Sequence, residues 1–265
     1  MMDFDLSDLF ETWPHDPDDD GKNIRRVTGS DGRVRLLVRV RCGLYQWEVE
    51  GRPDGEHPHG FASLLDYYRH RIEEHRNDPE GAEAIHLEQD AIEAISQELI
   101  DYYQRRVLFF RLGEYERARA DAEHNLELMD ILRDHAEDPE AAIEHEQWRP
   151  FVTMDRARAE ALIGCQQSDY VGAIRTLDHG IEEIVHFFHQ HRRDDLIDES
   201  QELHVLRDLK YQLREAYGIP LTSREMLEGL REEQAKAIEE EDFERAARLR
   251  DEIARFESHP DVEAT

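Results

Sequence analysis

The spacing of hydrophobic positions changes once along the chain, near residue 61. Before that point it follows a period of two. Val34, Leu36, Val38 and Val40 alternate with Arg33, Arg35, Arg39 and Arg41, the pattern of a strand with one covered face. Similar runs at Ile24–Thr28 and Tyr45–Glu50 flank Arg33–Arg41, with Gly29-Ser30-Asp31-Gly32 and Cys42-Gly43-Leu44 between them. A three-stranded antiparallel meander is predicted, ended by the Gly/Pro loop GRPDGEHPHG at 51–60. From Phe61 onward the period is that of a helix. Phe61, Leu64, Leu65, Tyr68 and Ile72 fall on one face and can cover the sheet. After a break at 76–81, helices are predicted near 83–111, 114–135, 153–166, 170–192 and 196–217, with a polar connection at 137–150. Gly218-Ile219-Pro220 stops the last of these.

Two stretches of the helical middle repeat one another weakly. Gly113, Tyr115, Ala118, Ala122 and Leu126 in 102–128 have counterparts in Ser168, Tyr170, Ala173, Leu177 and Ile181 in 155–184. The pattern resembles the tetratricopeptide (TPR) helix-turn-helix, in which small residues let two antiparallel helices approach closely. The offset of 55 residues and Ser168 in place of glycine depart from that family's pattern.

Beyond Pro220 the signals are crisper. Thr222-Ser223-Arg224-Glu225 has the form of a capping box. Leu227, Leu230, Ala237 and Ile238 make a stripe on a first helix, and Phe243, Ala246, Leu249, Ile253 and Phe256 make the facing stripe on a second. The short connector 239–242, with Asp242 placed to cap the second helix, requires the two to be antiparallel. The stretch LEGLREEQAKAIEEEDFERAARLRDEIARFES at 227–258 resembles the UVR motif of the UvrB and UvrC excision-repair proteins. The resemblance is carried by Leu230, Ala237, Phe243, Glu244, Ala246, Ala247, Leu249, Arg250, Asp251 and Ile253. It implies a helical hairpin used for contact with a protein, and Leu230, Ala237, Phe243, Ala246, Ala247, Leu249, Arg250 and Ile253 as the partner-binding residues. It extends no further: the chain has neither a GxxxxGK[ST] nucleotide loop nor paired metal-binding cysteines. The size of the hairpin points the same way, because one seam between two helices buries too little apolar area to offset the ordering of its chain.

Charge narrows the partners. Sixty-three acidic residues against thirty-three basic ones give a net charge of −30, a field that repels phosphate backbones and favours partners with basic patches. The first 21 residues hold eight acidic side chains and no Lys or Arg. In 22–41 the balance reverses, with seven cations against Asp31 alone. Arg33, Arg35, Arg39 and Arg41 are therefore a candidate face for an anion or acidic partner, with internal neutralisation by Glu48 and Glu50 as the competing reading. Cys42 and Cys165 stand far apart and form no CxxC pair, and no segment has the roughly 20 apolar residues of a membrane span. A cytoplasmic bacterial protein without cofactor is expected.

Three further constellations bear on chemistry. Asp16, Asp18, Asp20 and Gly21 match the start of a calcium loop, but Val27 stands where the closing Glu belongs. Glu182, His186 and His189 share a helix face, with His191 nearby. Arg52, Asp54, His57 and His59 in the 51–60 loop could form a small polar site. None of these assembles a catalytic set, so no enzyme and no metal site is expected.

The expected fold is mainly α, in four parts. These are an acidic segment 1–21, a small antiparallel sheet with its covering helix 22–80, a TPR-like bundle 83–217 and a UVR-like hairpin 222–258. The expected function is a protein–protein adaptor or scaffold that docks, or self-associates, through the hairpin. The alternative is a nucleic-acid-associated DNA repair accessory factor using the arginine face.

Overall fold

The computed structural model describes residues 6–79, 81 and 85–258. It divides into two compact units, Met1–Lys210 and Tyr211–Thr265. No helix among the described residues is long and apolar enough to cross a membrane.

The first unit begins with a short helix, α1 (Ser7–Thr12), and a three-stranded sheet of β1 (Ile24–Thr28), β2 (Val34–Val40) and β3 (Gly43–Glu48). The order is β1-β2-β3 and both pairings are antiparallel, with Ile24 opposite Val38 and Leu36 opposite Trp47. Helices follow: α2 (Leu64–Asn77), α3 (Gln89–Leu112), α4 (Tyr115–His135), α5 (Pro139–Glu146), α6 (Arg149–Gln166), α7 (Tyr170–Gln190) and α8 (Gln201–Tyr217), whose last seven residues, from Tyr211, fall in the second unit. Successive long helices pack as antiparallel pairs, α3 on α4 and α6 on α7, with α4 also against α6.

Packing corrects two expectations. The sheet is covered by α3, α4 and α6 rather than by the helix that follows it. Leu36, Ile24 and Val49 pack with Leu108, Phe109, Ala118 and Ala159. Leu64, Leu65 and Tyr68 of α2 belong instead to a core with Ile95, Leu99, Leu128 and Leu132. Periodicity gave α2 an apolar face but could not say which surface it meets. The connection at 137–150 contains a helix, α5, started by Asp138, which accepts from the Glu140 amide, and by Pro139 in its first turn.

The small residues of the weak repeat do what their size allows. Ala118, Ala122, Ala173 and Leu177 are buried. A Cβ on Gly180 would lie 2.4 Å from the Ala157 side chain, so α6 and α7 touch there almost backbone to backbone. The two turns are also equivalent. Gly113 (φ 70°) and Ser168 (φ 63°) both adopt the left-handed conformation. In each turn the next amide reaches back into the helix, Glu114 to the carbonyl of Phe109 at 2.9 Å and Asp169 to that of Gly164 at 2.8 Å. This is the Schellman arrangement that satisfies the last carbonyls of a helix.

The core carries paired charges. Arg105 grips Asp121 through two bonds, 3.0 and 2.7 Å, and donates to the carbonyls of Glu48 and Gly51. One guanidinium thus ties α3 and α4 to the loop after β3. Arg106 is fully buried and pairs with Asp155 on α6 at 2.8 Å.

In the second unit the turn after α8 uses Gly218 (φ 64°), and two more helices follow, α9 (Ser223–Glu239) and α10 (Phe243–Ser258).

Candidate functional site

The hairpin of α9 and α10 is built from local signals. Thr222 caps α9: its hydroxyl accepts from the Glu225 amide at 3.3 Å while the Glu225 carboxylate accepts from the Thr222 amide at 2.8 Å. Arg214 pairs with the same carboxylate and so ties the end of α8 to this cap. At the other end, Glu241 takes φ 56° and the Asp242 amide donates to the Ala237 carbonyl at 2.8 Å, another Schellman turn, here made without glycine. The Asp242 side chain then accepts from the Arg245 amide at 3.0 Å and starts α10.

The seam of the hairpin is narrow. Ala237, Ala246 and Leu249 form a buried cluster with Leu230 packed on it, and Ile253 is buried as well. Gln234 spans the seam to the Ala246 carbonyl at 3.3 Å. Arg231–Glu257 (2.7 Å) and Arg245–Glu233 (3.3 Å) bridge the two helices outside it. Such exposed pairs contribute well under about 1 kcal/mol each.

Two residues expected in that seam are not in it. Phe243 is 68% exposed and Ile238 52% exposed, on either side of the turn. The spacing allows this as well as the alternative, in which a last step of three would end on Phe243. Reading back from Ile253 and Leu249, steps of four, three and four give Ala246 and then Asp242, so Phe243 sits one position, about 100°, past the seam. Ile238 stands in the same relation to Ala237.

The proposed partner-binding residues therefore sort into two groups. Leu230, Ala237, Ala246, Leu249 and Ile253 hold the hairpin together. Phe243, Ala247 and Arg250 are exposed and, at i, i+4 and i+7, share the outward face of α10. Ile238 joins them at the tip.

The arginine face of the sheet is largely engaged by the chain itself. Arg39 is buried, its guanidinium 3.7 Å from the Phe10 ring and its Nε 3.1 Å from the Trp13 carbonyl. Arg25 lies 4.3 Å over the Trp13 ring, and the Trp13 indole donates to the Lys22 carbonyl at 2.8 Å. Arg35 is held between Asp31 and Glu48, each at 2.6 Å. The Arg35 guanidinium and the Arg33 amide, both bonded to Asp31, hold its carboxyl well below the ordinary carboxylate range. Arg33 and Arg41 remain exposed. Glu50 pairs with Arg117 instead of the face.

The polar loop divides. Arg52 turns inward to Asp54 at 3.1 Å and to the buried Glu98 at 3.4 Å. Glu98 also accepts from His124 at 2.9 Å and from the Leu64 amide at 3.0 Å, so it caps α2 from α3. Burial opposes the charged carboxylate, but the bonds from His124 and Leu64 outweigh it and lower its pKa. His124 stacks on Tyr102 at 3.5 Å. Helix periodicity alone does not single out Glu98 or His124, because the loop that joins them is remote in sequence. His59 stacks on Tyr67 at 4.1 Å, and His57 lines a separate surface cleft beside Arg26, Arg33 and Arg117. The four loop residues thus do not converge on one site.

The other constellations have structural uses. The Asp16 carboxylate accepts from the amides of Asp18 and Asp19 and from Lys22. His189 pairs with Asp194, and His191 bonds the Phe187 carbonyl at 2.8 Å while His186 points to solvent. Among the described residues no group of three or more His, Cys, Asp or Glu side chains is arranged to hold a metal ion.

Neither curated proteins nor solved structures provide a match to this chain. Residues 224–258, the hairpin described above, match the UvrB/uvrC motif family.

Proposed function

We propose that this protein is a non-enzymatic adaptor whose hairpin docks on a partner protein. The observation that carries the reading is the outward face of α10. Phe243, Ala247 and Arg250 are exposed in a segment that matches the UvrB/uvrC motif, while the buried positions of the same motif are spent on holding two helices together. A large aromatic side chain left in water beside small ones is a surface suited to entering a pocket on another protein. The alternative, a nucleic-acid-associated repair factor using the arginine face, gains less support. Arg39 and Arg35 are taken up within the fold, and Arg33 and Arg41 offer few contacts to phosphate.

Photocrosslinking in intact cells tests the reading. A photoreactive residue at Ala247 should trap a protein, and one at exposed Glu73 on α2 should not. Equal trapping from both positions, or none from Ala247, would overturn it.

A further inference from the structure

The charge of the hairpin is a charge of its tip. Residues 223–257 hold twelve acidic and seven basic side chains. Five of the acidic ones and none of the basic ones lie in Ile238–Glu244, the stretch IEEEDFE, so the remainder of the hairpin is neutral. Glu239, Glu240, Glu241, Asp242 and Glu244 are all exposed around Ile238 and Phe243. Among the described residues only Glu240 of these five faces a cation, Arg245 at 3.8 Å. Two large apolar side chains thus stand exposed on either side of the hairpin turn, interspersed along the chain with five carboxylates.

Resting on the docking role proposed above, we propose that the partner presents an apolar pocket rimmed by lysine or arginine, which receives Phe243 and Ile238. Apolar burial supplies the affinity at the centre and opposite charge at the rim steers and orients the encounter. The same carboxylates speak against a second copy of this chain, because two tips would bring ten of them together, and against a nucleic acid, whose phosphates they repel.

Two fluorescein-labelled amphipathic helical peptides probe this with the full-length protein. Both carry one leucine stripe; lysines flank it in one and glutamates in the other. At about 0.15 M salt the lysine peptide should bind and the glutamate peptide should not. Binding should fall by about tenfold or more in Ile238→Ser/Phe243→Ser, and likewise in Glu239→Gln/Glu240→Gln/Glu241→Gln/Glu244→Gln. Circular dichroism and hydrogen exchange of α9 and α10 should be unchanged in both variants. Equal binding of the lysine peptide by wild type and both variants would assign it to the acidic surface at large and overturn the proposal. So would binding of the glutamate peptide, a duplex DNA complex lost in the serine variant, or a dimer in sedimentation that the serine variant abolishes. A seam variant, Ala246→Asp/Leu249→Asp, separates this proposal from the docking role. Binding that survives the tip variants but not the seam variant leaves the hairpin as docking element and removes the tip. Binding that survives all three removes the hairpin as the probe's site. Loss of binding in both tip variants with the hairpin intact supports the proposal.

Discussion

At the scale of single residues, the helix ends show what the chain tolerates. Gly113, Ser168 and Glu241 occupy equivalent left-handed positions at the ends of α3, α6 and α9, though two of the three have a Cβ that disfavours it. An added Cβ at Gly113 meets nothing within 4 Å, so Gly113→Ala tests the backbone alone and should cost about 1 kcal/mol in urea unfolding. Ser168→Gly should gain about 0.5–1 kcal/mol by the same logic, and a loss there would show that the Ser168 side chain has a role of its own. The buried Glu98 gives a different signature. Its pKa is held below the usual 4.5 by His124 and the Leu64 amide in spite of burial. A carboxyl depressed in the folded state stabilises the fold above its unfolded pKa, and that contribution fades as pH falls through the folded value. Glu98→Gln should therefore be less stable than wild type by about 2–4 kcal/mol at pH 7. The gap should narrow below about pH 4.5. Chemical unfolding across pH checks this, and a gap independent of pH would assign the loss to packing.

At the scale of elements, the hairpin separates what holds it from what it displays. Leu249→Ala removes a buried side chain from the seam and should cost about 2 kcal/mol or more. Phe243→Ser removes a side chain that is mostly in water and should change stability by less than about 0.5 kcal/mol. Hydrogen exchange along α9 and α10 distinguishes them, with faster exchange expected only for Leu249→Ala. The sequence was informative here because capping box, connector and period are local. Thr222, Glu225 and Asp242 do what their residue types promise. What it hid was phase: a stripe at threes and fours admits Phe243 or Asp242 as its next member, and only the turn geometry decides. The same limit applied to α2, whose apolar face was legible while its neighbour was not. Which surface a helix meets depends on contacts between residues far apart in sequence, and no period records those. The inward turn of Arg52 onto Glu98 is hidden for the same reason.

At the scale of the whole molecule, net charge and the fate of the arginine island decide between the two readings of function. A chain carrying −30 repels a duplex as a whole, so binding would need a concentrated basic surface. The stretch 22–41 has the composition for one, with seven cations and one acid. Folding disperses it. Arg39 is buried against Phe10, Arg25 lies over Trp13, Arg35 sits between two carboxylates, Lys22 pairs with Asp16, and Arg26 pairs with Glu114 just before α4. Arg41 and Arg33, the latter 4.0 Å from Asp31, are the least engaged, which allows about two phosphate contacts, and each contact adds only about one unit of salt dependence. The expected outcome is no complex with a short DNA or RNA duplex tighter than about 1 μM at about 150 mM salt. Fluorescence anisotropy over a salt series measures it. A tighter complex that Arg33→Gln/Arg41→Gln abolishes would place the nucleic-acid reading ahead of the adaptor, since those two exposed side chains are the ones that the fold engages least. A tighter complex indifferent to that pair would have to come from another surface, and the hairpin tip, with five carboxylates and no cation, is the last place it could lie.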